Sequence, residues 1–302
     1  MIRAGDVLDR MQQLPLADVD EIAPRTSLIL APHPDDETLG CGGLIASLCE
    51  RGRPPVIVAV TDGTGSHPGS ASYPPARLKA VREAELRCAA AILGLDERRV
   101  LFLGLPDTRA PQDGPCFDRT VREVAALVRA HDVATIFATW QHDPHCDHQA
   151  TARIAAAAVR ITGTRLMLYP VWGRLLSPDQ AIPAVQVVGA RLDIGGQLPR
   201  KRRAVAAHAS QYSDLIADDP NAFRLPSELL AAFDQPFEVF LNASPGAHRF
   251  RRPISTISMP VTRTLGTSQT ATTSVRSTTP RWQRCRCPAS PPGSRSAVRS
   301  VC

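Results

Sequence analysis

The sequence predicts a Rossmann-like α/β fold, a mostly parallel sheet with helices on both faces. Two observations carry this expectation. From Thr26 onward, short continuous apolar runs bounded by turn residues alternate with stretches of helical period, the pattern of buried strands each followed by a helix. At four of the run ends, polar and ionisable residues gather where such sheets place their ligands, beyond the carboxyl ends of the strands. In order, SLILA, PVIVAVTDG, VLFLGLPD, TIFATW and RLMLYPVW read as strands. VQVVGARLDI and PFEVFLN read as two more, and 198–211 as a helix.

Composition sets the outer bounds. A chain of 302 residues with 43% apolar content can bury a real core. The formal charge of +6 suggests a nucleic-acid or membrane surface only until it is divided along the chain. The last acid is Glu238, and ten arginines follow between Arg249 and Arg299, so the rest of the chain carries a balance of −4. No nucleic-acid partner is expected. We divide the chain into a domain over 1–248 and a basic tail over 249–302, rich in Ser, Thr and Pro, whose abrupt change of composition reads as a disordered or frameshifted terminus. Cys41, Cys49, Cys88, Cys116 and Cys146 lack paired spacing and read as reduced thiols. No signal peptide and no membrane-spanning run is visible, so a cytoplasmic protein is expected.

The strand exits hold the chemistry. After SLILA comes A-P-H-P-D-D-E, Ala31 to Glu37, which packs one imidazole and three carboxylates into a turn. After TIFATW comes H-D-P-H-C-D-H, His142 to His148, with His145 and His148 one helical turn apart. Asp35 or Asp36 taken alone could be a helix N-cap. Three adjacent acids beside a histidine repel one another unless a cation or protons compensate, and a second histidine cluster lies at another exit of the same sheet. A metal site with three His or carboxylate ligands and an open position is the economical reading.

Three other features bear on the site. In the helix over 76–93, Leu78, Val81, Leu86, Ala89 and Leu93 form the apolar stripe, and Arg82 and Glu85 project from within it; they read either as a buried ion pair or as substrate contacts. Gly40-Cys41-Gly42-Gly43 lacks the spacing of a dinucleotide loop and reads as close helix packing. Thr61-Asp62-Gly63 with Ser66-His67-Pro68 reads as a pocket-lining loop or an ordinary turn.

The P-H-P-D-D-E motif followed about a hundred residues later by H-x-D-H resembles the PIG-L/LmbE family of zinc-dependent N-acetylglucosaminyl deacetylases. The resemblance runs from Ser27 to Phe240 and includes Arg82-x-x-Glu85, the L-x-L-P-D run ending at Asp107, and His208-Ala209-Ser210-Gln211. It implies His33, Asp36 and His148 as zinc ligands and Asp35 as the general base. It further implies His145 as a protonated imidazole steadying the oxyanion, Asp147 as the group that orients a neighbouring imidazole, and Arg82 and Asp107 as substrate contacts. The implied substrate is a small N-acetylated sugar or sugar conjugate. His208 and Gln211 receive no role, and the resemblance stops before the tail.

The chain departs from the family pattern in two places. Cys146 stands where proline is usual, and His142, Asp143 and Pro144 occupy the place where some members carry a mobile tyrosine. Two further readings stay open at this point: a non-haem Fe(II) enzyme using the same two-His-one-carboxylate set, and a catalytically inactive sugar-binding module.

Overall fold

A computed structural model describes residues 1–243; the tail expectation for 249–302 lies outside the described residues. Among the described residues the main sheet has eight strands, of which the longer ones are β1 (Ser27–Ala31), β2 (Val56–Thr61), β3 (Val100–Leu105), β4 (Thr135–Thr139), β5 (Arg165–Tyr169), β6 (Gly189–Asp193) and β7 (Phe237–Asn242). Their spatial order is β3-β2-β1-β4-β5-β7-β6, with the two-residue strand Leu16–Ala17 beyond β6. β3 through β5 are parallel, and β7 runs antiparallel to both β5 and β6.

The longer helices among the described residues are α1 (Ala4–Gln12), α2 (Asp36–Glu50), α3 (Pro75–Ile92), α4 (Gly114–Ala130), α5 (Cys146–Thr162) and α6 (Leu198–Ala206). Alternate strand residues face two separate cores, which is why the runs look apolar throughout. Ile29, Ile57, Phe137 and Met167 meet Leu44, Leu86 and Ala204 of α2, α3 and α6. Leu28, Val58, Ile136 and Leu168 meet Val7, Val124 and Ile154 of α1, α4 and α5. α1 lies upstream of the segment that the sequence reading organised, although its buried Val7 and Met11 are spaced as one helical face.

Two expected elements differ in extent. The strand in VQVVGARLDI is confined to Gly189–Asp193, and the helix over 198–211 ends at Ala206. At His208 the backbone leaves the helical region (φ −79°, ψ 58°), and a separate turn, Ala209–Tyr212, follows. The break lets His208 and Ser210 reach groups on α2 and α3, as described below.

α2 is buried from Asp36 to Leu48, so its close approaches fall on glycines. A Cβ on Gly40 would stand 2.2 Å from the Tyr169 ring, and one on Gly43 would stand 2.3 Å from Ile194. The Glu238 carboxylate accepts from the amides of Gly43 (2.7 Å) and Leu44 (2.9 Å) and pairs with buried Lys201 of α6 (2.8 Å). The glycine cluster therefore serves packing, as its spacing suggested. Gly40→Ala gains about 1 kcal/mol of helix propensity but drives a methyl into a ring whose hydroxyl is already bonded to Leu30 O. A net loss of about 1–2 kcal/mol in unfolding free energy is expected, read as a lower denaturant midpoint; an unchanged midpoint would show that Tyr169 has room to move.

Candidate metal centre

β1 and β4 are neighbours in the sheet, yet the chain leaves β1 toward β2 on one side and β4 toward β5 on the other. This is the topological switch point, where the crevice beyond the strand ends is widest. His33 to Glu37 enter it from β1, and His142 to His148 from β4. Asp107 follows β3, and Arg82 reaches in from α3.

Asp36 is the hub. Its Oδ2 lies 3.2 Å from His33 Nδ1 and 3.3 Å from His148 Nε2. Donors about 2.0–2.1 Å from one tetrahedral zinc stand roughly 3.3 Å apart, and these two separations match that spacing as well as that of a hydrogen bond. His148 Nε2 is buried, and although close to Asp36 it has no partner of hydrogen-bond geometry among the described residues.

The opposite ring nitrogens are anchored by carboxylates. His148 Nδ1 meets Asp143 Oδ2 at 2.9 Å, and Asp143 is held by the amides of Val171 and Gly173. His33 Nε2 meets Asp147 Oδ2 and Asp107 Oδ1, each at 3.2 Å. Asp147 accepts from the amides of Thr108 (2.7 Å) and Ala110 (3.0 Å), and Asp107 accepts from the amide of Gly65 (2.8 Å). Carboxylates that fix the far nitrogen of a ligating histidine are the usual outer support of a metal.

Charge counting leads to the same place. A neutral imidazole carries one N–H, yet both nitrogens of His33 and both of His148 face carboxylate oxygens. Without an ion, each ring needs a second proton. Burial opposes charge on His33, but Asp107, Asp147 and Asp36 outweigh it and hold its pKa well above the ordinary value. For His148, burial is likewise outweighed by Asp36 and Asp143, which hold it up at about 9. Burial opposes ionisation of Asp36, and His148 and His33 outweigh that, holding its carboxyl well below the usual range. The donor set fits a divalent cation, which can take the place of those extra protons.

Other groupings of possible ligand atoms occur among the described residues. The ring nitrogens of His33, His145 and His148 lie within 4.8 Å of one another, as do donor atoms of His33, Asp107 and Asp147. Asp107 and Asp147 are engaged by backbone amides and by the far side of His33, and Asp36 Oδ2 likewise accepts from the amide of His33 (3.0 Å). His145 caps α5 by accepting the Asp147 amide at Nδ1 (3.2 Å). That acceptor role leaves Nε2 as its donor, and burial, with His33 and His148, lowers its pKa. The local geometry thus describes a neutral His145, where the resemblance implied a protonated one. Asp147 approaches the His33 ring with its carboxylate and His145 with its backbone amide.

Asp35 stands beside this cluster. It occupies the N-cap position of α2 at φ 151°, a region that disfavours any side chain, and makes no side-chain cap. Such backbone strain costs about 1–3 kcal/mol and persists where surroundings enforce it. The enforcement is visible on both sides. The Asp35 amide donates to Glu37 Oε2 (3.1 Å), and Arg82 Nη2 donates to Asp35 Oδ2 (3.0 Å) and to Pro34 O (2.8 Å). Burial raises the Asp35 pKa to about 6 against the opposing pull of Arg82.

Arg82 also donates to Gly63 O (2.8 Å), where φ is +67° and a Cβ would collide with the guanidinium. The alternative of an Arg82–Glu85 pair is not what forms. Arg82 goes to Asp35, while Glu85 accepts from the amide and hydroxyl of Ser210, both at 2.7 Å.

His33, Asp35, Asp36, Arg82, Asp107 and His145 all line one cleft. Its remaining wall includes Gly65 and Ser66 from the loop after β2, Gln211, and the apolar side chains of Leu39, Trp172, Phe223 and Leu225. His208 sits behind Asp35, its Nε2 3.1 Å from Thr38 Oγ1 and 3.5 Å from Glu37 Oε1. Sequence reasoning gave no role to Asp143, Glu37 or the His208 contacts. Asp143 could have been found from its place inside the second histidine cluster; the others depend on which helices meet.

Asp143→Asn keeps an acceptor for one amide and removes the charge opposite His148. It is expected to weaken zinc affinity about 10–100-fold in a calorimetric titration, with the far-ultraviolet circular dichroism unchanged. Undiminished affinity would show that His148 needs no such support.

Residues 28–159 match the family model for GlcNAc-PI de-N-acetylase, PIG-L. A 1D-myo-inositol 2-acetamido-2-deoxy-alpha-D-glucopyranoside deacetylase from Mycobacterium sp. (strain KMS) is 32% identical over 166 residues, covering 47% of this chain and 52% of that protein. The chain thus spans about half the length of the mycobacterial relative it matches. A diacetylchitobiose deacetylase from Thermococcus kodakarensis is 29% identical over 218 residues, covering 66% of this chain and 73% of that one. Among solved structures, the N,N'-diacetylchitobiose deacetylase of Pyrococcus horikoshii shares the fold, with a TM-score of 0.56 at 20% identity over 82% of this chain and 94% of that chain. Over residues 28–159 the chain is similar to the PIG-L family of GlcNAc-PI de-N-acetylases, and the two motifs meet at the switch point of this sheet.

Proposed function

We propose that the chain is a zinc-dependent hydrolase that removes the N-acetyl group from an amino sugar or its conjugate. The observation that carries this reading is the pairing of two carboxylates with different surroundings. Asp36 lies between two imidazoles, while the adjacent Asp35 is turned away from them toward Arg82 and lines the same cleft. In this reading His33, Asp36 and His148 hold the metal, and Asp35 stays free of it. A zinc ion there supplies Lewis acidity toward a water and toward the amide carbonyl.

Asp35 takes a proton from the attacking water and passes it to the departing nitrogen. A carboxyl held at about 6 by burial is ionised at neutral pH yet basic enough for that transfer. Arg82 positions Asp35 through the contact at 3.0 Å. His145, with Nδ1 occupied by the Asp147 amide, donates from Nε2 to the oxygen on which negative charge develops. Asp107 lies on the cleft wall beside His33, where its carboxylate can also accept from a substrate hydroxyl. The activities of the mycobacterial and archaeal relatives support an N-acetylated sugar conjugate as the substrate class.

Acetate release from a panel of N-acetylglucosamine conjugates tests the reading. Wild-type protein is expected to release acetate without oxygen and to stop when a chelator strips the metal. Asp35→Ala should retain zinc and lose about 10²–10⁴-fold in rate, whereas His33→Ala and His148→Ala should lose zinc and activity together. Equal metal loss in all three variants would undo the division between ligand and base, and oxygen-dependent turnover without acetate would point to the Fe(II) alternative.

A further inference from the structure

We infer that Gln211 is a substrate-binding residue that accepts a hydrogen bond from a hydroxyl of the sugar, and so helps decide which sugar is bound. The inference rests on the deacetylase reading above and deepens it. It also gives a role to the last residue of the His208-Ala209-Ser210-Gln211 motif.

A carboxylate can only accept hydrogen bonds, and that of Glu85 meets both the amide and the hydroxyl of Ser210 at 2.7 Å. The Ser210 hydroxyl proton is therefore committed to Glu85, and toward any other neighbour Ser210 Oγ can only accept. Its other neighbour is the side-chain amide of Gln211 at 3.2 Å, which must then present its nitrogen. Ser66 Oγ agrees: its one proton goes to Gly63 O (3.3 Å) or to His67 Nδ1 (3.0 Å), and it stands 3.2 Å from the same nitrogen. Both hydrogens of Gln211 Nε2 are thus used inside the protein, and the amide cannot turn over without placing its oxygen against two acceptors.

That leaves the carbonyl. Gln211 is 1% exposed, and its Oε1 has no hydrogen-bond partner among the described residues. A buried acceptor left unmade costs free energy, and native proteins keep few of them without a purpose. Gln211 lines the cleft that also holds His33, Asp35 and Asp36, so this buried oxygen belongs to a residue of the reaction-site wall. It requires a donor. A hydroxyl of a sugar next to the scissile amide has the right chemistry, and a site built to bond a hydroxyl rejects analogues that lack it.

The test uses the full chain loaded with zinc, and methyl N-acetyl-glucosaminide with its three mono-deoxy analogues at the 3, 4 and 6 positions. One deoxy analogue is expected to cost the wild type about tenfold or more in kcat/KM. Gln211→Met, similar in size but without an acceptor, is expected to lose about tenfold on the parent sugar while distinguishing the parent from that same analogue by less than about twofold. Binding of the parent to Asp35→Ala and to the Asp35→Ala, Gln211→Met double variant, measured calorimetrically, should show the same loss in affinity without turnover. Equal affinity in those two proteins, or a wild type that tolerates every deoxygenation within about twofold, overturns the role of Gln211 and leaves the deacetylase reading intact. Should Gln211→Met fail to fold, Gln211→Asn, which keeps an amide but shortens its reach, is expected to lose the same discrimination, and an Asn variant that keeps it overturns the role. A wild type that releases no acetate from the parent and does not bind it fails the deacetylase reading, and this inference with it.

Discussion

Four buried carboxylates face the nitrogens of two imidazoles, and this electrostatic constraint organises the rest of the structure. Asp36 lies between His33 and His148, Asp143 lies behind one ring, and Asp147 and Asp107 lie behind the other. Such a cluster is stable only with added positive charge, because buried carboxylates are costly to ionise unless paired. Protons can supply that charge in part, which is why both imidazoles are held strongly basic. A divalent cation supplies it at one point and leaves the outer carboxylates to fix the rings.

Much of the surrounding architecture keeps those groups in place. The amides of Val171 and Gly173 hold Asp143, and those of Thr108 and Ala110 hold Asp147. Thr108 adopts a positive φ of 63° while doing so, so strain appears at two supports of the site, Asp35 and Thr108. α2 delivers Asp36 and Glu37 from its first turn, and its glycines let it lie against Tyr169 and Ile194. Packing and chemistry meet in one element: the helix that carries the hub carboxylate is among the most deeply buried in the fold.

Behind Asp35 lies a chain of polar contacts that joins distant segments. Arg82 of α3 reaches Asp35 and the loop after β2; Glu37 holds the Asp35 amide and approaches His208; Glu85 fixes Ser210, which in turn orients Gln211. Buried polar networks specify a unique arrangement when their members are satisfied. Of the members left unsatisfied among the described residues, which include Arg82 Nε and His208 Nδ1, His148 Nε2 belongs to the candidate metal cluster and Gln211 Oε1 to a residue of the cleft wall. One is suited to an ion, the other to a donor from the substrate.

The sequence by itself determined the sheet, the alternation of strands and helices, and the two motifs at the strand exits, because burial on both faces and turn chemistry are local properties of a run of residues. The grouping of His33 with His148 was legible only as two clusters at exits of one sheet; that their strands are neighbours is a fact of the tertiary structure. Tertiary structure alone decided who pairs with whom. That Arg82 turns to Asp35 and not to Glu85, that Asp143 supports His148, and that the helix over 198–211 breaks at His208 all depend on contacts between elements distant along the chain. Spacing cannot report such contacts, because side-chain direction at these positions is set by the partner and not by the local backbone.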